Sequence, residues 1–332
     1  MQFDALLAAI PLQGVPAAAV AAENLGFDAL WTSETRRDPF LPCALIAEHT
    51  SRLGFGTAIA VSFSRSPANL AYLSWDLAAQ SQGRFILGLG TQVRAHIERR
   101  FGAPWPESVA GKLREQIHGI RALWDCWQNG TKLNFRGRYY NLTLMSPFFN
   151  PGPIDNPNIP IYIAGVNVSL ARLAGETCDG FVVHPFHSPR YLKEVILPAI
   201  EAGGRKTDRR IQDVSILVTA FSACTPQERE IARSQLAFYA STPSYRPVMA
   251  FHGWQEAADK LSALAARGKW DELPALVTDE MLAEYCLVTD KSTLAEALKA
   301  RYAGSADRLA LYPPFIPGSG EMHWDSMVAS FK

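Results

Sequence analysis

The sequence predicts an α/β protein of the (β/α)8 TIM-barrel class, and three observations support this. Short β-rich runs alternate with longer helical patterns along the 332 residues. Eight of these runs are almost continuously apolar, as the strands of a parallel sheet buried on both faces must be. Eight strand–helix units are the number that closes such a barrel. A doubly wound open sheet, the structural alternative, usually has fewer strands.

The elements follow one another without a break in this alternation. The first helix is predicted over 15–25 with Gly26 in its stop position, and Pro67 suits the first turn of the helix that ends near Gln82. The predicted strands are 3–9, 27–33, 54–61, 84–90, 159–165, 180–184, 213–223 and 308–315. The other predicted helices lie near 40–51, around 109–127, over 168–177, over 188–203 and at the end of the chain.

Two segments extend beyond the repeating pattern. Residues 128–158 are rich in Pro, Gly and aromatic residues and predict an ordered insertion with a hairpin. Residues 225–303 are mainly helical and form the largest insertion, between strands seven and eight. No repeat, charge run or low-complexity linker separates parts of the chain. Residues 1–332 are therefore predicted to form a single domain.

The composition argues against several classes of partner. Lys plus Arg equals Asp plus Glu, at 32 each, which disfavours a nucleic-acid surface or a polybasic membrane surface. No apolar run approaches the roughly 18 residues of a membrane span. The N-terminus carries Asp4 and resembles no signal peptide. The five cysteines are far apart, which favours reduced thiols and a cytoplasmic protein.

Ligands of a barrel bind at the carboxyl ends of its strands, and these ends carry mostly small residues. They have few ionisable groups and lack the carboxylate and histidine clusters of a metal hydrolase. His184 and His187 are disfavoured as a metal pair because prolines break the helical register around them. We therefore predict no metal site. The strand-end residues are Glu34, Ala58, Ile59, Ala60, Gly90, Thr91, Gln92, Gly165, Val166, Asn167, His184, Tyr312 and Pro313.

The stretch GLGTQVRAHIERRFG, residues 88–102, starts like a dinucleotide-binding loop. It lacks the third glycine of that fingerprint, so a phosphate cradle is disfavoured. Two interpretations stay open. The glycines form a tight exit from strand four, or Gly88 and Gly90 clear space for a ring while Thr91 and Gln92 offer hydrogen bonds.

The turn at residues 165–168 also has two interpretations. The free amides at the start of the following helix would bind a phosphate, with His184 as a further donor. Alternatively, Asn167 or Ser169 merely caps the helix. Three arginines after strands two and three are either solvated or receive an anionic cofactor tail: Arg36, Arg37 and Arg65.

Six segments together resemble the luciferase-like monooxygenase superfamily. They are LGFDALWTSETRRDPFLP, LGFGTAIAVSFSRSP, RFILGLGTQVRAHIERRFG, FRGRYYNL, IPIYIAG and LAGETCDGFVVHPF, in the order of that family. Within the superfamily, LGLGTQVRAHIERRFG and DGFVVHPFHSPRYL are similar to the branch of oxidoreductases that use the deazaflavin coenzyme F-420.

The resemblance implies a flat ring held at the carboxyl ends of the strands. It implies a non-proline cis peptide at Ala58–Ile59 behind the ring, and a cofactor phosphate at 165–168 beside His184. It places Glu34, Gln92 and His96 around the ring, with Glu34 the candidate for acid–base work. It also implies a homodimer and hydride transfer between F-420 and a small organic substrate that the sequence does not identify.

The chain departs from the sugar-phosphate dehydrogenases of that branch. Thr35 stands where they carry a histidine base, and Val93 stands where they carry an acid. The alternatives are an FMN-dependent monooxygenase that uses oxygen and a catalytically silent binding protein of the same fold. Trp124 and Trp127 are predicted to lie in the core. The remaining aromatic residues are predicted to line a substrate pocket or to pack in the core: Tyr139, Tyr140, Phe148, Phe149, Trp254 and Trp270.

Overall fold

A computed structural model describes residues 1–318 and 324–332, and it contains twelve strands in those residues. The strands are β1 (Gln2–Leu6), β2 (Ala29–Thr32), β3 (Gly54–Thr57), β4 (Ala60–Val61), β5 (Phe85–Gly90), β6 (Phe135–Arg136), β7 (Asn141–Leu142), β8 (Ile161–Gly165), β9 (Gly180–Val183), β10 (Ser215–Ala223), β11 (Cys286–Val288) and β12 (Arg308–Leu311).

Helices follow the strands throughout the described residues. They are α1 (Val15–Leu25), α2 (Phe40–His49), α3 (Pro67–Gln80), α4 (Arg94–Arg99), α5 (Val109–Asn129), α6 (Val168–Thr177), α7 (Pro189–Tyr191), α8 (Leu197–Gly204), α9 (Pro226–Ala240), α10 (Arg246–Phe251), α11 (Gln255–Ala266), α12 (Asp279–Tyr285), α13 (Leu294–Tyr302) and α14 (Trp324–Phe331).

The alternation of parallel strands and helices confirms the predicted (β/α)8 barrel class. Three differences from the sequence prediction concern local backbone. The third predicted strand, 54–61, is two strands, because the chain is interrupted at a cis peptide between Ala58 and Ile59. The helix predicted over 188–203 contains a π-helical stretch, Leu192–Ile196. The strand predicted over 308–315 ends at Leu311.

Contacts divide the chain into two compact units, each described by itself below. Unit one comprises Met1–Leu6, Gly165–Glu176 and Phe181–Lys332, and unit two comprises Leu7–Ala164 and Thr177–Gly180. The assignment of residues 1–332 to a single domain stays a prediction.

Unit two contains a parallel sheet in the order β2-β3-β5-β8, with β4 also paired to β5. The helix ends explain why its elements stop where they do. Gly26 ends α1 with a φ of 91°, a left-handed conformation that glycine adopts without steric cost. The Ser66 hydroxyl caps α3 by accepting from the Asn69 amide, with Pro67 in the first turn. The insertion over 128–158 contains the predicted hairpin, formed by β6 and β7.

Unit one contains β1, β12 and β10 in that order, with β9 and β11 both paired to β10. A buried ion pair joins β1 to β12, where the Arg308 guanidinium donates to both carboxylate oxygens of Asp4 at 2.7 and 2.8 Å. Helix α9 begins with a capping box, in which Thr225 and Glu228 each accept a backbone N–H of the other. The insertion over 225–303 is mainly helical as predicted, but β11 adds a short strand.

Candidate functional site

Glu34 follows β2 in unit two, and its carboxylate is held at a single oxygen. Glu34 Oε2 accepts the backbone N–H of Val61 at 2.7 Å and Nη1 of Arg65 at 2.6 Å. The Glu34 side chain is 6% exposed. Its other oxygen, Oε1, has no hydrogen-bond partner among the residues that the structure describes. The carboxylate is thus fixed in orientation while one oxygen stays available to a ligand.

Arg65 bridges two carboxylates. It donates from Nη1 to Glu34 and from Nη2 to Asp38 at 2.7 Å, and its guanidinium lies over the Phe40 ring at 5.3 Å from the centroid. The Gln116 side chain donates to the backbone oxygen of Arg65 at 2.8 Å, which fixes the backbone from which the Arg65 side chain extends. The interpretation of Arg65 as a solvated arginine is therefore wrong, because its side chain is 15% exposed and paired with two carboxylates, and its role toward an anionic tail stays a prediction. We call Glu34, Arg65, Asp38 and Val61 the Glu34 group.

The bulge behind the Glu34 group has the predicted cis peptide at Ala58–Ile59, so this expectation is confirmed. Backbone hydrogen bonds hold both residues of this cis peptide. Ala58 N donates to Thr32 O at 2.6 Å, and Glu34 N donates to Ile59 O at 3.1 Å. The loop that carries Glu34 and the bulge are therefore directly hydrogen-bonded to each other.

The two glycines of β5 make room for protein atoms. A Cβ on Gly88 would lie 1.7 Å from the backbone oxygen of Thr57, and a Cβ on Gly90 would lie 2.6 Å from side-chain carbons of Ile59. Gly88 is thus required by the close approach of β3, and the prediction that it clears space for a ring is wrong. Gly90 lets the Ile59 side chain of the bulge pack against β5.

The polar residues after β5 make only local side-chain contacts among the described residues. Thr91 is buried, and its hydroxyl donates to Gln92 O at 3.4 Å. Gln92 has a φ of 58°, the left-handed region that a non-glycine residue enters at a cost of about 1–2 kcal/mol. Its side-chain oxygen accepts from Val93 N at 2.9 Å. His96 lies on α4 with an exposed side chain, and the structure gives that side chain no partner among the described residues.

His184 follows β9 in unit one and is a neutral donor. Its Nδ1 accepts the backbone N–H of Phe186 at 3.1 Å, so the ring proton resides on Nε2. Nε2 has no hydrogen-bond partner in residues 1–318 and 324–332. Burial, and then the neighbouring His187, lower the pKa of His184 to about 3. The side chain is thus uncharged near neutral pH and offers one N–H to a ligand.

Two tyrosines pack against this imidazole. The Tyr245 ring lies 4.5 Å and the Tyr239 ring 5.0 Å from the His184 ring, centroid to centroid. Tyr239 hydrogen-bonds to the hydroxyl of Tyr312 at 2.9 Å, whereas the Tyr245 hydroxyl has no partner among the described residues. Burial raises the pKa of Tyr245 to about 12, so it too remains a neutral donor.

The predicted anion turn lies in the same unit as His184, and Gly165 O accepts from His184 N at 3.4 Å. The Tyr191 hydroxyl donates to Val166 O at 3.1 Å.

Asn167 does not cap α6. Its Nδ2 donates to Ser244 O at 3.3 Å, and its buried Oδ1 has no partner in the described chain. The capping interpretation is therefore wrong for Asn167. We call Asn167, His184, Tyr239 and Tyr245 the His184 group.

Sequence reasoning missed four residues of these groups, Asp38, Val61, Tyr239 and Tyr245. Asp38 pairs with Arg65, which is 27 residues away in the chain, so no local pattern identifies it. The two tyrosines lie in the 225–303 insertion, about 55 or more residues from His184 in the chain, so only a tertiary contact joins them to it.

The aromatic residues singled out from the sequence fall into buried, half-buried and exposed groups. Trp124 and Trp127 are buried in the core as predicted, at 6% and 2% exposure. Phe148, Phe149 and Trp270 are exposed large hydrophobic residues, so core packing is wrong for all three. Tyr139 and Tyr140 are half-buried, with their backbone amides bound by Glu115. Trp254 is half-buried and stacks on His252 at 4.8 Å.

Residues 1–318 and 324–332 contain no group of three or more His, Cys, Asp or Glu side chains arranged to hold a metal ion. Nor does any helix in this part of the chain have the length and apolar character needed to cross a membrane.

The family model for luciferase-like monooxygenases matches residues 2–308. An uncharacterised protein of Mycobacterium tuberculosis is 44% identical over 310 residues, which cover 92% of this chain and 90% of that protein. The F420-dependent glucose-6-phosphate dehydrogenase of Amycolatopsis mediterranei is 26% identical over 313 residues, covering 89% and 87% of the two chains. The coenzyme F420 dependent tetrahydromethanopterin reductase of Methanopyrus kandleri shares the fold, with a TM-score of 0.77, 20% identity and coverage of 94% and 93%.

The alternation of parallel strands and helices defines a protein of the TIM-barrel class. The chain belongs to the luciferase-like monooxygenase family. This membership supports a flavin- or F420-dependent oxidoreductase in general terms.

Proposed function

We propose that this protein transfers a hydride between the deazaflavin coenzyme F-420 and a small organic substrate. The observation that carries the proposal is the Glu34 carboxylate, fixed at Oε2 by Arg65 and Val61 with Oε1 unpartnered. A bound deazaflavin ring supplies the carbon that accepts or donates the hydride. The protein supplies orientation, exclusion of water and a group that takes or gives a proton.

The His184 group has the donor and acceptor set that the cofactor tail requires. His184 Nε2 and the Tyr245 hydroxyl are neutral donors for phosphate oxygens, together with the first amides of α6. The orphaned Oδ1 of Asn167 is an acceptor, which suits a hydroxyl of the polyol chain rather than the phosphate. Val166 is fixed through its oxygen by Tyr191, so the turn is held before a ligand arrives.

The other strand-end residues are proposed to contact the ring. Ala58 and Ile59 form the bulge behind it, with Ile59 packed into the space that Gly90 leaves. Thr91, Gln92 and His96 follow β5 and offer polar side chains at its edge. The strained backbone of Gln92 supports this role, because residues in sparsely populated conformations cluster at ligand sites.

Glu34 is proposed to hold or move the proton at the reacting oxygen of the substrate. Arg65 and Val61 fix the carboxylate so that Oε1 alone is presented, which reduces the reorganisation needed for proton transfer. Thr35 stands in the place of the histidine of the sugar-phosphate dehydrogenases, so the acid–base work falls to Glu34 itself.

The second candidate is an FMN-dependent monooxygenase, which the family description favours. A titration of the purified protein with oxidised F-420 and with FMN, followed by fluorescence quenching, separates the two. We expect saturable quenching with F-420 and much weaker quenching with FMN. Binding of FMN alone would transfer the proposal to the monooxygenase. Binding of neither would leave a silent member of the fold and overturn the enzyme assignment.

The role of Glu34 is tested by Glu34→Gln, which keeps the hydrogen bond from Val61 but cannot accept a proton. A panel of alcohols, ketones and sugar phosphates is first screened by the absorbance of the oxidised deazaflavin. On the substrate so found, kcat should fall by about 100-fold or more. The Kd for F-420 should change by less than about tenfold, or 1.4 kcal/mol.

The matched control is Glu98→Gln, at an exposed glutamate of α4 that pairs only with Arg94. It should leave both kcat and Kd within about twofold, since an exposed ion pair contributes little. A large rise in Kd with unchanged kcat for Glu34→Gln would assign Glu34 to cofactor binding instead.

A further inference from the structure

Unit one contains a cavity of about 290 Å³ between β10, α9 and the residues after β12. We call it the β10–α9 cavity. Its size is at the small end of ligand pockets, which run from roughly 300 Å³ upward. Its walls are mainly apolar, and the side chains that form them are Phe221, Ile231, Ala232, Pro313 and Pro314.

The polar end of the cavity offers donors. The Tyr312 hydroxyl donates to Oε1 of Gln235 at 3.1 Å, which occupies the acceptor of that amide and leaves its NH2 group without a partner among the described residues. The hydroxyl of Ser222, also in the wall, has no partner there either. A ligand with one acceptor oxygen satisfies this end, because a donor in a partly buried apolar setting gains from being paired.

The charge of the walls excludes anions. Among the residues that the structure describes, Glu228 is the one carboxylate in the lining, and no Lys or Arg of those residues lines the cavity. Glu228 Oε2 accepts the backbone N–H of Cys224 at 2.5 Å and of Thr225 at 3.1 Å, so its charge is fixed at the start of α9. A phosphate or carboxylate ligand would meet this negative charge with no cation in the described lining to balance it. Lys291 lies outside the lining but is close enough to Cys224 to act against the rise of its pKa.

The cavity is connected to the His184 group. Tyr312 lies in its wall and hydrogen-bonds to Tyr239, whose ring packs on His184 at 5.0 Å. A molecule in the cavity therefore contacts Tyr312, the hydrogen-bond partner of the tyrosine that packs on the proposed cofactor donor.

We propose that the β10–α9 cavity binds a compact, uncharged and mainly apolar alcohol or ketone, whose oxygen accepts from Gln235 and Ser222. The inference goes beyond the proposed function, because a molecule whose oxygen is paired with Gln235 and Ser222 is not the one on whose oxygen Glu34 acts. Sugar phosphates are excluded from the cavity by its charge.

Cys224 provides a readout that needs neither cofactor nor turnover. It lies in the cavity wall and is the one half-buried cysteine, whereas Cys43, Cys126, Cys178 and Cys286 are buried. Burial, and then Glu228, raise the pKa of Cys224, so labelling with iodoacetamide is run at mildly alkaline pH, where more thiolate forms. Cys224→Ser should remove the labelled site and confirm the assignment.

The probes are cyclohexanone, cyclohexanol and cyclohexanecarboxylate, which share one ring and differ in charge. When cyclohexanone is present at about ten times its Kd, labelling should slow about tenfold, because only the empty fraction reacts. Cyclohexanol should behave alike. Cyclohexanecarboxylate should need at least about tenfold higher concentration. Equal protection by all three would overturn the charge argument, and protection by none would overturn the site.

Two pairs of variants test the location. Ile231 lines the cavity and is 64% exposed, so Ile231→Asp should fold normally and weaken cyclohexanone protection at least about fivefold through its charge. Ser234→Asp, at an exposed position of the same helix outside the cavity, should leave cyclohexanone protection unchanged.

Ala232→Phe fills the cavity and should abolish protection. Ser234→Phe is its control and should leave protection unchanged. Unchanged protection in Ile231→Asp would place the probe elsewhere.

The outcome is separable from that of the cofactor titration. Protection of Cys224 without any F-420 or FMN binding would keep this site and overturn the proposed function alone. Cofactor binding without protection would keep the proposed function and remove this inference.

Discussion

Glu34 and His184 both have little access to water, but the protein surrounds them in opposite ways. Glu34 is paired with a cation, because Arg65 and the amide of Val61 both donate to its Oε2. His184 loses its charge, because burial among aromatic rings lowers its pKa to about 3. The comparison teaches what each group is built for. A fixed carboxylate suits proton transfer, whereas a neutral imidazole suits a hydrogen bond that does not vary with pH.

The largest expected effect comes from removing Arg65, the cation that is paired with Glu34. Arg65→Leu leaves Glu34 almost fully buried with one backbone donor. Loss of one partner of a buried ion pair costs about 3–5 kcal/mol, since the remaining charge is uncompensated. We expect the free energy of unfolding in urea to fall by that order. The exposed Asp38 should contribute little to the loss, because water replaces Arg65 there.

Glu34→Gln provides the matched background for this measurement. If Arg65 acts by balancing the Glu34 charge, Arg65→Leu should cost less than about half as much when position 34 is already neutral. An equal cost in both backgrounds would show that packing of Arg65 on Phe40 is what stabilises the fold, and the contrast with His184 would lose its electrostatic basis.

A smaller effect is expected from acid, through the histidines that are held neutral. Burial lowers the pKa of His187 to about 4 in the folded protein, against 6.5 for the ordinary group. The unfolded chain therefore binds the proton first as pH falls. The stability due to neutral His187 is complete above pH 6.5 and is lost as pH falls toward 4. Near pH 5 the loss should be about 2 kcal/mol.

The measurement is the urea midpoint near pH 7.5 and near pH 5. His187→Gln removes the titrating group, so its stability should change less between the two pH values than that of the natural protein. His49→Gln, at an exposed histidine, serves as the control and should keep the full acid loss. If His187→Gln is as acid-sensitive as the natural protein, its burial is not the cause.

The fold could be predicted from the sequence because buried parallel strands and amphipathic helices have distinct periods. The end of α1 at Gly26 and the start of α3 at Pro67 follow from local chemistry alone. The division of the third strand at Ala58–Ile59 came from the family resemblance, because no residue type there requires it.

The site could be predicted only as positions at strand ends, because partners are set by tertiary contact. Arg65 reaches Glu34 across 31 residues, and nothing local distinguishes it from the exposed Arg36 and Arg37. Gly88 and Gly90 lie in one short motif, yet Gly88 makes room for backbone of β3 and Gly90 for the Ile59 side chain. The glycines of this motif indicate that space is needed beside β5, but the sequence does not show which atoms occupy that space.

The smallest effect concerns the neutral donor itself and sharpens the comparison most. His184→Ala removes one hydrogen bond to the cofactor tail, which should raise the Kd for F-420 by about fivefold, or 1 kcal/mol. His184→Asn keeps a neutral N–H donor and should recover part of the affinity. Because the imidazole is already neutral, the Kd of the natural protein should be flat between about pH 6 and pH 8. The contrary result is a Kd that falls steadily as pH falls through 6.5, and does so only when His184 is present. It would mean that the bound anion causes the His184 ring to take up a proton. The contrast between a carboxylate paired with a cation and an uncharged imidazole would then fail.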